Sequence, residues 1–297
     1  MSDPVEATLA RWRQDIDDRL TRIAAAAPDL PEWLREPVHY SLTGEGKRLR
    51  GLLVMAAYDA MHGRRDASGL AAGIEVIHAY SLVHDDLPCM DNDSMRRGRP
   101  TTHRAFDVAT ATVAGVTMVP LAVEQVLDAA AELALDDATA RRMVGVLMHA
   151  SGAGGMVGGQ LMDLEGERRA LALGELEAMH RAKTGALIAA AVALGGMAAG
   201  ADDRALAALT AAGHALGLAF QIADDVLDAT ESSEALGKTA GNDAVHAKST
   251  YASVLGVAAA RRRVETLVAD AMAHLESATL KTPPLERLAH FVAARRS

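Results

Sequence analysis

Two clusters of three closely spaced aspartates are the residues of this chain most suited to chemistry. The first acidic cluster is Asp85, Asp86 and Asp91, and the second acidic cluster is Asp224, Asp225 and Asp228. Crowded carboxylates repel one another, and burying them raises that cost, so a cation is expected to compensate them. Carboxylate oxygens completed by water or phosphate are the ligands that Mg²⁺ prefers. One cluster alone would fit a solvated helix end, whereas two in similar settings favour a magnesium site.

Each acidic cluster follows a long apolar run, residues 73–83 in the first case and 212–223 in the second. These runs predict two buried helices that end near the carboxylates, where the helix dipole is already negative. Asp224 and Asp228 are four residues apart and therefore share one helix face. Pro88 cannot comfortably continue a helix, so the chain is predicted to turn there and bring Asp91 back toward Asp85.

Short groups of basic residues accompany the aspartates, and several stand beside glycines that allow close approach of an anion. They are Lys47, Arg50, Arg96, Arg97, Lys183, Lys238 and Lys248. Together with the carboxylates they describe a site for Mg²⁺ and polyphosphate. Their number indicates two anionic ligands, one held through metal and one held directly. The sequence has no Walker loop, which disfavours nucleotide hydrolysis.

Composition predicts an all-α protein, because only 3% of the residues are aromatic while 50% are hydrophobic, with Ala and Leu dominant. No repeat or linker interrupts the chain, so residues 1–297 are expected to form one domain. A net charge of -9 argues against nucleic acid or an anionic membrane as partner. No signal peptide or membrane-spanning run is evident, and the single Cys89 suits a reducing cytoplasm.

Three further elements carry expectations about the fold. Leu9, Trp12 and Ile16 belong to an amphipathic helix that is predicted to end at residues 28–31. Pro120 is predicted to separate two helices, and a long Ala-rich helix is predicted from residue 174 to about residue 199. The glycines between residues 152 and 159 fit close helix packing beside a ligand better than a phosphate loop, because no strand precedes them.

In combination and order, these motifs resemble those of the trans-isoprenyl diphosphate synthases, most closely the bacterial farnesyl and geranylgeranyl diphosphate synthases. The resemblance covers nearly the whole chain. The segments that carry it are 46–50, 78–91, 96–98, 159–163, 183–184, 220–228 and 237–239. It implies a bundle of ten or more helices around a deep cavity, usually as a homodimer, that joins isopentenyl diphosphate head-to-tail to an allylic diphosphate.

The resemblance also implies roles for individual residues. About three Mg²⁺ ions are expected, held by Asp85, Asp91 and Asp224 with support from Asp86, Asp225 and Asp228. The allylic diphosphate would contact Arg96, Lys183, Thr184, Gln221 and Lys238. Isopentenyl diphosphate would contact Gly46, Lys47, Arg50, His78 and Arg97, with Lys248 as a further substrate-binding cation. The departing diphosphate is the expected base.

Product length is expected to depend on the helix below Asp85. Ser81 lies one turn beneath Asp85, and Tyr80 lies roughly 7.5 Å below it, where an aromatic ring can close the cavity. Tyr80 therefore favours the C15 farnesyl product. The sequence of residues 89–93 instead resembles that of geranylgeranyl synthases, so a C20 product is the alternative. Val116 stands where the family usually has Asp, which puts local helix contacts in question.

Three other classes compete with this interpretation. A ferritin-like di-iron protein would use two Glu-x-x-His pairs, Glu75 with His78 and Glu177 with His180, but would leave the aspartates and cations unexplained. A terpene cyclase would need an aromatic-lined cavity and only one diphosphate. A non-catalytic subunit of a heteromeric synthase would be expected to lose some Asp ligands, and all are present.

Overall fold

The computed structural model describes residues 3–26, 30–167, 169–230 and 249–294. In the first half of the chain the helices are α1 Pro4–Ala26, α2 Glu32–Leu42, α3 Leu49–Ala60, α4 Ser68–Asp85, α5 Thr102–Ala105, α6 Val108–Glu132 and α7 Asp137–Ser151. The remaining helices are α8 Met156–Gly166, α9 Leu173–His180, α10 Ala186–Ala198, α11 Asp203–Thr230, α12 Tyr251–Leu255, α13 Val257–Ser277 and α14 Pro283–Ala293. The all-α prediction is confirmed.

Strand structure within the described ranges is confined to one short hairpin. It pairs β1 Met95–Arg96 with β2 Arg99–Pro100 in antiparallel register, Met95 opposite Pro100 and Arg96 opposite Arg99. A hairpin of this length has too little apolar surface to hold itself together in water. Its conformation must therefore come from contacts with neighbouring elements.

The chain divides into two compact units. The first unit is Met1–Met55 with Arg64–Val144, and the second is Ala56–Gly63 with Gly145–Ser297. Each unit is built from two separate stretches of chain. One domain over residues 1–297 stays a prediction.

The first unit is organised around α4, whose residues from Ser68 to Ile77 are all buried. The amphipathic helix predicted at the start of the chain is confirmed as α1, which packs on α4 and buries Trp12 and Ile16. On the other side α6 approaches α4 closely at Gly115. A Cβ atom there would lie 2.3 Å from His84 Nε2, so only glycine fits. This contact fixes the end of α4 that carries the first acidic cluster.

The predicted helix boundary at Pro120 is wrong, because α6 runs without interruption through it. Proline removes one backbone donor and crowds the preceding turn. Pro120 lies on the exposed side of α6, where water can solvate the carbonyl that loses its donor and a slight bend can relieve the crowding. The rest of the 25-residue helix supplies enough packing to offset the cost.

The second unit is organised around α10 and α11. Every residue of α10 from Leu187 to Ala198 is buried, and α11 packs against both α10 and α13. The prediction of one helix over residues 174–199 is wrong in one respect. A wide π-helical turn, Arg181–Gly185, separates α9 from α10, with Ala186 N–H donating to the Arg181 carbonyl. Lys183 and Thr184 lie in this π turn.

By length and composition α6 and α11 could each cross a lipid bilayer. Buried helices of globular proteins meet the same criteria. In the most apolar window of α11, 56% of the residues are buried inside the protein, and in that of α6 39% are buried. The lower burial of α6 reflects an apolar face that the chain itself leaves exposed.

Candidate active site

The first acidic cluster forms a turn at the C-terminal end of α4. Asp91 N–H donates to the Asp85 carbonyl at 2.9 Å, and Asn92 N–H donates to the Leu87 carbonyl at 3.1 Å. The predicted return of Asp91 toward Asp85 is thereby confirmed. Both side chains are half-buried, at the edge of the protein where a ligand can reach their oxygens.

Asp86 faces inward and has a different environment. Arg96 Nε donates to its Oδ1 at 2.7 Å and to its Oδ2 at 2.9 Å, and Arg96 Nη2 lies 2.6 Å from Oδ1. Burial dominates over this pairing and raises the pKa of Asp86 to about 6. Asp93 lies 3.5 Å from the same guanidinium. Arg96 is thus engaged within the protein, next to the carboxylates that the sequence assigned to metal.

An open cleft lies beside this turn within the first unit. It is lined on one side by charged and polar residues of α4 and the hairpin, namely Glu75, His78, Asp86, Arg96 and Arg97. Burial, followed by the positive charges of Arg50 and Arg97, holds the pKa of His78 well below its usual value. His78 therefore presents a neutral imidazole to the cleft at neutral pH.

Arg97 is joined to the glycine loop, residues 44–47, on the opposite side of the cleft. Its Nη1 donates to the Glu45 carbonyl at 2.7 Å, and a Cβ atom on Gly46 would lie 2.8 Å from that nitrogen. Arg97 has a positive φ of 52°, a conformation that costs energy for a side chain of this size. The structure therefore brings together Gly46, Arg97 and His78, three of the residues predicted to bind isopentenyl diphosphate.

The other cations of the glycine-loop region divide by environment. Lys47 is exposed and Arg50 is buried. Arg48 was not predicted to have a role, and it holds the loop from within. Its Nε donates to Asp17 Oδ1 at 2.7 Å and its Nη2 donates to the Gly44 carbonyl at 2.7 Å.

Tyr80 and Ser81 lie on α4 beneath Asp85. The Tyr80 ring packs edge-on against His84, with ring centroids 4.9 Å apart, and His84 Nε2 lies 3.0 Å from the Thr112 carbonyl of α6. This contact fixes the position of the half-buried Tyr80 ring. Ser81 Oγ donates back to the His78 carbonyl at 2.8 Å, so its hydroxyl is used within the helix.

In the second unit, the middle aspartate of the second acidic cluster is the centre of a buried network. Asp225 Oδ1 accepts from Gln221 Nε2 at 3.1 Å, and Oδ2 accepts from the backbone N–H of Tyr251 at 2.8 Å. His180 Nε2 lies 3.4 Å from the same Oδ2. Thr184 Oγ1 donates to Gln221 Oε1 at 2.9 Å. Asp225 thus links α11 to the π turn and to the start of α12.

Lys183, in the π turn, forms an ion pair with Asp163 of α8, with Nζ 2.7 Å from Oδ2. A Cβ atom on Gly159 would lie 2.2 Å from Lys183 N, so α8 can approach this turn only through glycine. The predicted close helix packing is confirmed at Gly159 and stays a prediction for the other glycines of residues 152–159. Asp224 is half-buried on α11, while Asp225 and Asp228 are buried.

Sequence reasoning missed the partners of Asp225. The sequence could not identify Tyr251 as a partner, because it contributes a backbone N–H donor that almost any residue could supply. In the sequence, His180 stands out only as part of a Glu-x-x-His pair. Lys238, Lys248 and the segment 237–239 lie outside the described residues.

The donors fit Mg²⁺ rather than a cofactor held by protein alone. Across the described residues, no group of three or more His, Cys, Asp or Glu side chains is arranged to hold a metal ion by itself. Half-exposed carboxylates beside a cationic cleft suit an ion whose remaining ligands are phosphate oxygens and water. The di-iron arrangement fits poorly, since Glu75 Oε1 accepts from Gly51 N–H at 2.8 Å and serves the backbone.

Comparison with known proteins places these features in a family. Residues 31–281 match the polyprenyl synthetase family model. The chain is 36% identical to farnesyl diphosphate synthase of Bacillus subtilis, over 99% of both chains. The apo structure of an FPP/GFPP synthase from Zymomonas mobilis has a TM-score of 0.85 and 34% identity, covering 99% of this chain and 100% of that one.

A geranyltransferase from Helicobacter pylori, complexed with magnesium and isoprenyl diphosphate, has a TM-score of 0.81 and 28% identity, covering 99% and 98% of the two chains. This chain belongs to the polyprenyl synthetase family. The resemblance drawn from the motifs is confirmed.

Proposed function

We propose that this protein is a Mg²⁺-dependent prenyltransferase that condenses isopentenyl diphosphate head-to-tail with dimethylallyl and geranyl diphosphate to give farnesyl diphosphate. The observation that carries the proposal is the cleft of the first unit, which neutral His78 and Arg97 line beside the turn of Asp85 and Asp91, with Gly46 in contact with Arg97. Family membership and the names of the relatives support the same reaction.

Asp85 and Asp91 of the first cluster and Asp224 of the second are the proposed metal ligands, because their side chains are half-buried rather than enclosed. When bound, Mg²⁺ would neutralise the allylic diphosphate and favour its departure. Asp86, Asp225 and Asp228 have supporting roles, consistent with their burial. The family analogy gives about three ions.

The cations divide between the two substrates. Arg96, Lys183, Thr184, Gln221 and Lys238 are assigned to the allylic diphosphate, with Lys248 as a further contact. Gly46, Lys47, Arg50, His78 and Arg97 are assigned to isopentenyl diphosphate. Guanidinium groups hold phosphate through paired hydrogen bonds, and backbone at glycine can approach an oxygen closely. Lys183 is already ion-paired with Asp163, which orients its ammonium group.

The reaction breaks the allylic C–O bond and leaves an allylic carbocation. The double bond of isopentenyl diphosphate attacks this cation, a new C–C bond forms, and loss of one proton to the departed diphosphate restores a double bond. Arg96, Lys183 and the other allylic cations stabilise the charge that accumulates on the leaving group. Thr184 and Gln221 orient that group through their mutual hydrogen bond.

Tyr80 supports farnesyl diphosphate as the end product. Its ring is fixed against His84 one turn further along α4, so it cannot easily swing aside for a longer chain. Geranylgeranyl diphosphate is the alternative product. Ser81 lies on the same stretch of α4 but has a small side chain that restricts growth less.

The test is incubation of the purified chain with isopentenyl diphosphate, Mg²⁺ and each of dimethylallyl, geranyl and farnesyl diphosphate, followed by chromatography of the products. Farnesyl diphosphate is expected from the first two substrates. Asp85→Ala and Asp224→Ala should reduce turnover by roughly 10³-fold or more, whereas Asp270→Ala, at an exposed position of α13, should leave it unchanged. Absence of any condensation product, or full activity of both site variants, would overturn the proposal.

A homodimer is proposed from the exposed apolar face of α6. Val113, Val116 and Leu127 are 42%, 56% and 43% exposed on this helix. Apolar residues recurring on one helix face are typical of a covered surface. Val116, which departs from the family pattern, belongs to this face and does not line the cleft.

We also propose a cytoplasmic location, for which the lone Cys89 is the support.

A further inference from the structure

The hairpin and the end of α2 are joined by a pair of residues that the reaction does not use directly. Arg99 places its guanidinium carbon 3.6 Å from the centre of the Tyr40 ring and also donates through Nη2 to the Tyr40 carbonyl. The Tyr40 hydroxyl donates to the Pro100 carbonyl at 2.7 Å. Phe106 packs edge-on against the same ring at 5.5 Å. We call Arg99 and Tyr40 the clasp.

The clasp lies between the two groups of residues proposed to hold isopentenyl diphosphate. Tyr40 is in the last turn of α2, four residues before Gly44 of the glycine loop. A Cβ atom on Gly44 would lie 3.5 Å from Arg99 Nη1, an ordinary contact distance. On the hairpin side, Arg97 is two residues from Arg99 and already donates to Glu45. Both clasp residues also line the cleft.

The hairpin depends on a contact of this kind to hold its conformation. It contains two residue pairs, and its turn includes Arg97 and Gly98, both with positive φ. A segment this short and strained takes its conformation from what it packs against. The clasp and the Arg97–Glu45 hydrogen bond are two contacts on the same side of the hairpin. Loss of the clasp would remove one of these two contacts with α2 and the glycine loop, while Arg96 would still hold the start of the hairpin to Asp86.

We propose that Arg99, seated on Tyr40, is a positioning residue that sets the spacing between the glycine loop and Arg97 and so determines affinity for the non-allylic diphosphate. This inference rests on the proposed function and extends it to two residues without an assigned role. Arginine is required because a planar guanidinium stacks on the ring and donates to the carbonyl at the same time. Lysine would keep the charge and lose that combination.

The test is steady-state kinetics of Arg99→Met, Arg99→Lys and Tyr40→Leu with each substrate varied in turn. Arg104→Met is the matched control, since Arg104 is an exposed arginine five residues further along. The KM for isopentenyl diphosphate is expected to rise roughly 5- to 30-fold in all three clasp variants. The KM for the allylic substrate and kcat should change less than about twofold, because the clasp touches neither acidic cluster.

The double variant Tyr40→Leu/Arg99→Met separates positioning from independent effects. If the residues act as one unit, its KM should equal that of the worse single variant rather than the product of both effects. Thermal unfolding is measured for each variant, and Arg99→Lys carries the test if Arg99→Met does not fold. Equal rises in both KM values, or an unchanged KM for isopentenyl diphosphate, would overturn this inference alone. An inactive wild-type chain would overturn the proposed function as well.

Discussion

Arg96 donates through one nitrogen to both carboxylate oxygens of Asp86, at 2.7 Å and 2.9 Å. The first acidic cluster is therefore not uniform. Its middle carboxylate is buried and compensated by the chain, while Asp85 and Asp91 remain at the edge of the protein. The pairing also fixes the start of the hairpin relative to the end of α4.

Removing Arg96 should destabilise the protein because Asp86 would be left buried without its partner. Arg96→Met is expected to lower the free energy of unfolding by about 2–4 kcal/mol in urea denaturation. Asp86→Asn combined with Arg96→Met should recover part of this loss, since it removes the stranded charge. A double variant less stable than Arg96→Met would contradict this account.

Within the second acidic cluster, we expect Asp224 to bind metal and Asp225 to act in positioning. Asp224→Asn should raise the Mg²⁺ concentration needed for half-maximal activity. Asp225→Asn should leave that concentration unchanged and lower the free energy of unfolding by about 1–3 kcal/mol, because an amide cannot accept at both oxygen positions. Magnesium titrations of activity and urea denaturation of both variants measure the two effects. An equal increase in Mg²⁺ requirement would show that Asp225 also acts at the metal.

His78 should make stability depend on pH. Its folded-state pKa lies well below the ordinary value of 6.5, so between those two values the unfolded chain binds more protons than the folded one. The contribution of His78 to stability is therefore fully present above pH 6.5 and is lost as pH falls below it. The slope due to one such histidine is at most about 1.4 kcal/mol per pH unit.

His78→Gln should flatten the profile of unfolding free energy against pH below about pH 6.5 relative to the unchanged chain. His290→Gln, at an exposed position of α14, is the matched control and should retain the original slope. Parallel profiles for the chain and His78→Gln would show that this imidazole is not held neutral.

Tyr80 should limit product length. Tyr80→Ala removes the ring that packs against His84 and is expected to convert part of the farnesyl product into geranylgeranyl diphosphate. Ser81→Ala is the neighbouring control, because its hydroxyl is bonded within α4 and its volume changes little. Chromatography of dephosphorylated products compares the two. Unchanged product length in Tyr80→Ala would remove the argument for a cavity floor.

Charge on the exposed face of α6 should disrupt the proposed homodimer. Val113→Lys with Val116→Lys is expected to give a monomer in light scattering, because burying two ammonium groups costs more than the apolar contacts contribute. Val157→Lys, at a similarly exposed valine of α8, should have no such effect. If the unmodified protein is a monomer, the proposed homodimer is contradicted. If the double variant is still a dimer, the dimer interface does not include this face of α6.

Much of the fold followed from patterns local in sequence. Apolar runs before each acidic cluster predicted buried helices, and Pro88 predicted the turn that returns Asp91 to Asp85. The helix boundary predicted at Pro120 was wrong because the energetic cost of a proline inside a helix depends on which side of the helix it occupies. For α6 that side is decided by packing across the unit. The network around Asp225 could not be predicted from the sequence either, because it joins residues from four elements and one of its donors is a backbone N–H. Arg48 was given no role, because its charge alone does not reveal its contacts with Asp17 and Gly44 inside the protein.

The π turn between α9 and α10 has a consequence for helix phase. Each residue of an α-helix advances the side-chain direction by about 100°, so one additional residue in the turn rotates α9 by that angle relative to α10. Deleting Ala182 would let the two helices join in regular register. It would also swing Thr184 away from Gln221 and move Lys183 relative to Asp163. At this point in the chain a more regular helix would therefore cost the contacts that Thr184 and Lys183 make with α11 and α8.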